Sequence, residues 1–282
     1  MINKNCKIEK FENPFPYIKI QNFLEKDFYE NLEFAFPKID DFKRNERSLR
    51  RMDYDTTYGD SLYAELLSKN DNYKKFHDYV YSNEFINYFL DLFKTNILNE
   101  LNKNFLIENI LNYPINSNPF EVDGIIGKED LTKSLQKFLY PRLDLGSGIE
   151  GYGKNNGGGG IHIDNPQRLI SILFYLGGYE KINGGEHRIW KKSHSKKSLD
   201  IHEIIKPEKN CLIAGLQNNL AFHDVNPIEY IDGSRNAFYL AISSSIPIWK
   251  KVKSSKFNMK YNRNRARMNL FQKLKKLLNF NK

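Results

Sequence analysis

Leu169-Ile170-Ser171-Ile172-Leu173-Phe174-Tyr175-Leu176 is the densest apolar run in the chain, and just before it stands His162-Ile163-Asp164-Asn165-Pro166. The run is far shorter than the roughly 20 apolar residues that span a bilayer, and it suits a strand. Similar short runs lie at residues 138–145, 160–164, 186–190, 210–214, 220–225 and 236–243, separated by Gly, Asn and Pro. Seven or eight such strands predict a β sandwich or barrel of the jelly-roll kind. Residues 146–160 are rich in glycine and predict a loop. They lack the Lys-Ser/Thr ending of a phosphate-binding loop, and a strand rather than a helix follows them.

Upstream of residue 112 the pattern is mainly helical after a short strand at residues 17–20. A helix is expected to begin near Glu25 and to be stopped by Pro37. Leu62, Tyr63 and Leu66 mark one apolar stripe, and Phe85, Tyr88, Phe89, Leu92, Phe93, Ile97 and Leu101 mark a longer one at three-and-four spacing. His77, between Phe76 and Tyr79, reads as a core or helix-surface histidine.

The 282 residues are 40% apolar and 14% aromatic, enough to fill an interior. The net charge of +9 does not belong to that interior. Twelve Lys and Arg and no acid fall between Lys250 and Lys282, so the first 249 residues carry a slight acidic excess. That distribution argues against a nucleic-acid surface on the body. In the tail, Met268, Phe271, Leu274, Leu277 and Leu278 recur at helical spacing among Arg265, Arg267, Lys273, Lys275 and Lys276. A basic amphipathic helix of this kind can dock on its own domain, lie on an anionic membrane or in a partner groove, or meet nucleic acid nonspecifically. Cys6 and Cys211 form no Cys-x-x-Cys pair, and residues 1–15 lack the apolar core of a secretory signal. A cytoplasmic protein is expected, peripheral to a membrane if the tail attaches it.

The chemistry concentrates in a few positions. His162 and Asp164, two apart on a predicted strand, point to one face and can share a metal ion. His223, on another predicted strand, supplies a second imidazole. Two histidines and one carboxylate form a facial triad that leaves three positions open at Fe(II). Arg235 opens the strand at residues 236–243, where a guanidinium can clamp a carboxylate bidentately. Such a clamp suits a cosubstrate that chelates iron through its other end, as 2-oxoglutarate does. Each residue also has a plainer reading: strand histidines, an Asx-turn at Asp164 and a surface charge at Arg235. His187, His194 and His202 lie in segments dense with Lys and Ser and are expected to be solvated.

This pattern resembles that of the Fe(II)- and 2-oxoglutarate-dependent dioxygenases, in particular their prolyl 4-hydroxylase-like branch, over roughly residues 138–243. The family's HxD...H...R pattern falls on His162, Asp164, His223 and Arg235. Tyr140-Pro141, Phe174-Tyr175-Leu176 and Gly184-Gly185-Glu186 are similar to further stretches of that branch. The glycine-rich insert before His162 and the spacing from His223 to Arg235 are longer than in the branch. The resemblance implies a mainly β fold with flanking helices (α+β). Its core would be a double-stranded β-helix (jelly roll, cupin-like) with N-terminal helical elements packed outside.

It further implies that His162, Asp164 and His223 are the catalytic metal ligands. Arg235 and Tyr175 would hold the distal carboxylate of 2-oxoglutarate, and Tyr140 would line its pocket. Tyr152 is an alternative to Tyr140, and Arg142 an alternative base that could meet substrate. Fe(2+), 2-oxoglutarate and L-ascorbate are the implied cofactors, O2 and an unidentified substrate the implied partners. The expected organisation is a mostly helical support at 1–112, an oxygenase core at 113–249 and a basic tail at 250–282. Two other readings of the same residues are a cupin-like zinc enzyme, in which Arg235 has no role, and a noncatalytic binding module acting through its tail.

Overall fold

Strict period-two alternation, with both faces covered, builds the sheet that carries the site. The computed structural model describes residues 1–42, 53–57, 60–117, 137–153, 160–193 and 198–250. The expected tail helix therefore lies outside the described residues. The strands are β1 (Lys7–Phe11), β2 (Tyr17–Gln21), β3 (Asp53–Thr57), β4 (Leu139–Gly148), β5 (Arg168–Gly177) and β6 (Ile182–Asn183). They continue with β7 (His187–Lys192), β8 (Leu199–Ile205), β9 (Cys211–Leu216), β10 (His223–Val225), β11 (Tyr230–Ile231) and β12 (Arg235–Ser244). Among the described residues, five helices precede β4: α1 (Lys26–Phe34), α2 (Ser61–Lys69), α3 (Asp71–Val80), α4 (Asn83–Leu92) and α5 (Lys94–Leu101).

A seven-stranded antiparallel sheet of order β1-β2-β9-β5-β12-β4-β3 is accompanied by a three-stranded sheet, β10-β7-β8, and a two-stranded ribbon, β11-β6. This is the mainly β, double-stranded β-helix architecture, with helices packed outside it. On β5, Ile170, Ile172, Phe174 and Leu176 join the large helix-covered core, while Leu173 and Tyr175 join a second core with Ile189, Ile205 and Ala237. The same split puts Phe238, Leu240 and Ile242 of β12 on the helix side and Ala237 on the other. A one-residue slip would exchange these two sets, so register is tightly specified.

The helices are tied to the sheet by rings and by tyrosine hydroxyls. Phe76 of α3 stacks on Phe238 at 4.7 Å, and Tyr29 of α1 donates to the Leu176 carbonyl at 2.5 Å. Asn70 starts α3 by accepting from the backbone N–H groups of Asn72 and Tyr73 at 2.9 and 3.0 Å. Asn70→Ala should therefore cost about 1 kcal/mol of stability, measured as a lower urea midpoint with an unchanged slope. His77 is a core histidine, its Nδ1 2.9 Å from the Tyr63 hydroxyl.

Several sequence expectations are corrected. Residues 160–164 are not a strand: only His162 pairs, through one isolated bridge. Residues 220–225 reduce to the three-residue β10. The long stripe from Phe85 to Leu101 is divided between α4 and α5, and β4 runs on to Gly148, taking the first glycines of the expected loop into the sheet. The N-terminal region supplies β1, β2 and β3 to the main sheet as well as helices. Among the described residues no helix is long and apolar enough to cross a membrane.

Candidate metal and carboxylate site

His162 and His223 are brought together by the backbone itself. Each donates its N–H to the other's carbonyl at 3.0 Å, and the two rings stand 4.5 Å apart. Each Nδ1 lies against a carbonyl two residues earlier, Gly160 at 2.9 Å and Ala221 at 3.0 Å. An Nδ1–H held in this way leaves Nε2 as the free lone pair, the arrangement that orients a metal-binding imidazole. Asp164 completes the group: the ligand atoms of His162, Asp164 and His223 all lie within 4.8 Å of one another. His162 is 45% exposed and forms the open side of the cluster.

Asp164 is held ready as an anion. Burial opposes its ionisation, but Arg168, His162, His223 and the Ser171 hydroxyl outweigh that penalty and keep its pKa well below the usual carboxylate range. Arg168 Nη1 sits 3.3 Å from its Oδ2, and the Ser171 hydroxyl donates to the same oxygen. Burial, reinforced by His162, pushes the His223 imidazole down, which favours its neutral form. A carboxylate and two neutral imidazoles are the protonation states that a divalent metal requires.

Behind His223, Asp224 is only 2% exposed and is fixed across the β7–β10 pair. It accepts from Arg188 Nε at 2.8 Å, from Arg188 Nη2 at 2.5 Å and from the Trp190 indole at 2.8 Å. This clamp sets the position of β10, and with it His223.

The triad opens into a cavity of about 580 Å³. Beyond it, where β12 begins, Arg235 is completely buried. Its Nη1 donates to the Gly185 carbonyl at 2.8 Å and its Nη2 to the Tyr239 hydroxyl at 3.1 Å. The guanidinium lies 4.8 Å from the Tyr152 ring and 5.9 Å from the Tyr175 ring. Among the described residues no carboxylate pairs with it. Its Nε and the Tyr175 hydroxyl are both buried and have no hydrogen-bond partner among the described residues. Burial, only partly offset by Arg235, raises the Tyr175 pKa, so the ring stays a neutral donor.

Two glycines make this geometry possible. Gly184 has φ +89°, and a Cβ there would meet the Pro227 carbonyl oxygen at 1.9 Å. A Cβ at Gly146 would lie 2.3 Å from the Tyr239 ring, so glycine leaves the space that Tyr239 fills.

The cavity wall also includes Arg142 and Asp144 of β4, paired at 2.9 Å, and Tyr152. Tyr140 is placed otherwise: it is buried 6.0 Å from the Phe138 ring and is not among the residues lining the cavity. Of the histidines expected to be solvated, His202 is exposed and His194 falls outside the described residues. His187 is a correction. It lines the cavity with its ring 5.4 Å from that of His223, because β7 turns positions 187 and 189 inward. Tyr239 was likewise missed, although it stands four residues after Arg235 and hence on the same face of β12.

No family model matches the sequence, and no curated protein matches it. Solved structures of similar shape include a prolyl 4-hydroxylase from Phytophthora capsici, at 14% identity over 89% of this chain and 68% of that one, with a TM-score of 0.47. A prolyl-4-hydroxylase from Pseudomonas putida is 13% identical over 80% of this chain and 91% of its own, with a TM-score of 0.43. The viral collagen prolyl hydroxylase from Paramecium Bursaria Chlorella virus-1 is 16% identical over 80% and 94%, with a TM-score of 0.37.

Proposed function

We propose that the chain is an Fe(II)- and 2-oxoglutarate-dependent oxygenase of the prolyl 4-hydroxylase-like kind. The observation that carries this reading is Arg235: a fully buried guanidinium with no carboxylate partner among the described residues, held against Tyr152 and Tyr239, which line the cavity into which the His-Asp-His cluster opens. An unpaired buried charge is costly, and the cost is offset when an anion arrives. The unpartnered Arg235 Nε and Tyr175 hydroxyl fit the distal carboxylate of a keto-dicarboxylate.

In this reading His162, Asp164 and His223 hold Fe(2+) through two imidazole Nε2 atoms and one carboxylate oxygen. Arg235 and Tyr175 hold 2-oxoglutarate, and Tyr152 and Tyr239 brace the guanidinium. When bound, iron and 2-oxoglutarate supply the oxidising chemistry, in which O2 is consumed, succinate and CO2 are released and an oxygen atom passes to a C–H bond of the substrate. The chain's own part is positional. Nδ1 anchoring on the Gly160 and Ala221 carbonyls holds the imidazoles in one tautomer, Ser171 and Arg168 hold Asp164 ionised, and Leu173, Ile189 and Ile213 line the cavity with apolar surface that excludes water. Arg142 and Asp144, on the wall of the same cavity, are candidate substrate contacts. The substrate class stays open among a prolyl residue, another amino-acid residue, a glycan sugar and a small metabolite.

The test is anaerobic reconstitution with Fe(II) and 2-oxoglutarate, followed by oxygenation in the presence of L-ascorbate, the reductant expected to keep iron ferrous. Succinate should form and should depend on both iron and 2-oxoglutarate. Absence of succinate across candidate substrate pools, together with no measurable 2-oxoglutarate binding, would remove the proposal.

A further inference from the structure

The oxygenase reading leaves two acceptors on the cavity wall without a donor. Four carboxylates line the cavity among the described residues: Asp55, Asp144, Asp164 and Asp224. Three of them face a guanidinium, Asp144 with Arg142 at 2.9 Å, Asp164 with Arg168 at 3.3 Å and Asp224 with Arg188 at 2.5 Å. Asp55, half-buried on the edge strand β3, is the one with no ion pair among the described residues. Register turns it inward: Asp55 pairs with Gly146 and Thr57 with Asp144, so the carboxylates of Asp55 and Asp144 lie on one face of the sheet.

The second acceptor is independent of the first. Gln217 lines the same cavity and is 2% exposed. Its Nε2 donates to the Gly215 carbonyl at 3.2 Å, which fixes the amide and leaves Oε1 buried with no hydrogen-bond partner among the described residues. A buried acceptor left unmet carries a desolvation penalty. Gly215 is the cross-strand partner of Ser171, whose hydroxyl donates to Asp164. Gln217, two residues on, therefore stands on the side of the metal cluster, and Asp55 stands three strands beyond β5 at the sheet edge.

We propose that the substrate is a basic amino acid, free or within a peptide, its cationic side chain paired with Asp55 and one of its N–H groups donating to Gln217 Oε1. This rests on the oxygenase reading and narrows the substrate class that it leaves open. An ionised carboxylate and an amide oxygen only accept, so the ligand must bring a donor to each place. Asp55 selects a cation, because a prolyl ring, a sugar or a neutral metabolite leaves its charge without a partner.

Anaerobic calorimetric titration of the full chain, loaded with Fe(II) and 2-oxoglutarate, tests it with two matched pairs of ligands. N-acetyl-lysine methylamide is set against its norleucine analogue, and N-acetyl-arginine methylamide against its citrulline analogue; free lysine and arginine separate a metabolite from a peptide residue. In at least one pair the cationic member should bind about tenfold more tightly than the neutral one. Asp55→Asn, which keeps the shape and removes the charge, should abolish that preference and leave 2-oxoglutarate affinity unchanged. Gln217→Leu should weaken both members of the pair alike, about tenfold, since the N–H it loses is common to them. Should Gln217→Leu fail to fold, Gln217→Met takes its place. Intact 2-oxoglutarate binding with no charge preference in either pair overturns the assignment and leaves the oxygenase reading standing. So does a preference that survives Asp55→Asn, or an affinity that the apolar variant at Gln217 does not change. If the parent binds no 2-oxoglutarate, both the assignment and the oxygenase reading fall.

Discussion

Asp164→Ala is expected to abolish Fe(II) binding while the chain remains folded. The two histidines are fixed by main-chain pairing with each other and by Nδ1 contacts to carbonyls, so they stay in place when the carboxylate is removed. What disappears is the anionic ligand and, with it, the partner of Arg168, which then presents an uncompensated positive charge beside the site. Loss of a residue merely behind a metal ligand already lowers metal affinity by about 10–100-fold. Loss of the ligand, with a cation left facing the metal, should exceed that range. Ser171→Ala removes only a supporting hydroxyl and should stay within it. Anaerobic metal titration compares the two variants, and circular dichroism reports the fold. Fe(II) affinity equal to that of the parent in Asp164→Ala would show that the triad is not the metal site.

The residues legible from sequence are those whose spacing a strand converts directly into geometry. His162 and Asp164 were placed by a two-residue offset, and His223 and Arg235 by their positions on later strands. The offset brings His162 and Asp164 together through a different local structure, since residues 160–164 make one bridge rather than a strand. Ile163 is still buried while its neighbours turn toward the cavity, so the two-residue repeat survives without a continuous ladder.

His187 was hidden by its surroundings. A window containing Arg188, Lys191 and Lys192 reads as solvated, and indeed Lys191 and Lys192 are exposed. The informative signal was alternation with Ile189, which is fully buried on the same face. Tyr140 lies outside the cavity lining. Its strand and face were sound, but the cavity begins two residues further on, at Arg142. Nothing in β4 alone marks where along the strand the interior opens. That depends on Gly146, on the Tyr239 ring that fills its space, and on Tyr152 reaching back from beyond the end of the strand. The N-terminal strands were obscured for a related reason. β3 joins the sheet at its far edge through residues 53–57, Asp-Tyr-Asp-Thr-Thr, a polar segment with a single large apolar side chain.

Arg235→Met should separate the cost of a buried charge from its use. In the parent the guanidinium is completely buried and, among the described residues, is braced by neutral groups: the Gly185 carbonyl, the Tyr239 hydroxyl and the flanking rings. Removing a cation from such a place relieves its desolvation, while the flexible thioether fills much of the same volume. The Gly185 carbonyl and Tyr239 each lose a partner, which costs about 1–3 kcal/mol for a buried group and offsets part of the gain. The ligand-free variant is therefore expected to melt at or above the temperature of the parent. Its 2-oxoglutarate affinity should fall about a hundredfold, the upper end of what a charge-assisted contact contributes, while Fe(II) binding is retained. Thermal unfolding with and without 2-oxoglutarate reads both effects together: the parent should be stabilised by the ligand and the variant should not. A residue conserving only the fold would behave in the reverse way, with Arg235→Met lowering the melting temperature of the ligand-free chain and leaving the ligand-induced shift intact. That result would transfer the carboxylate clamp to another base, with Arg142, which lines the cavity, the first to test.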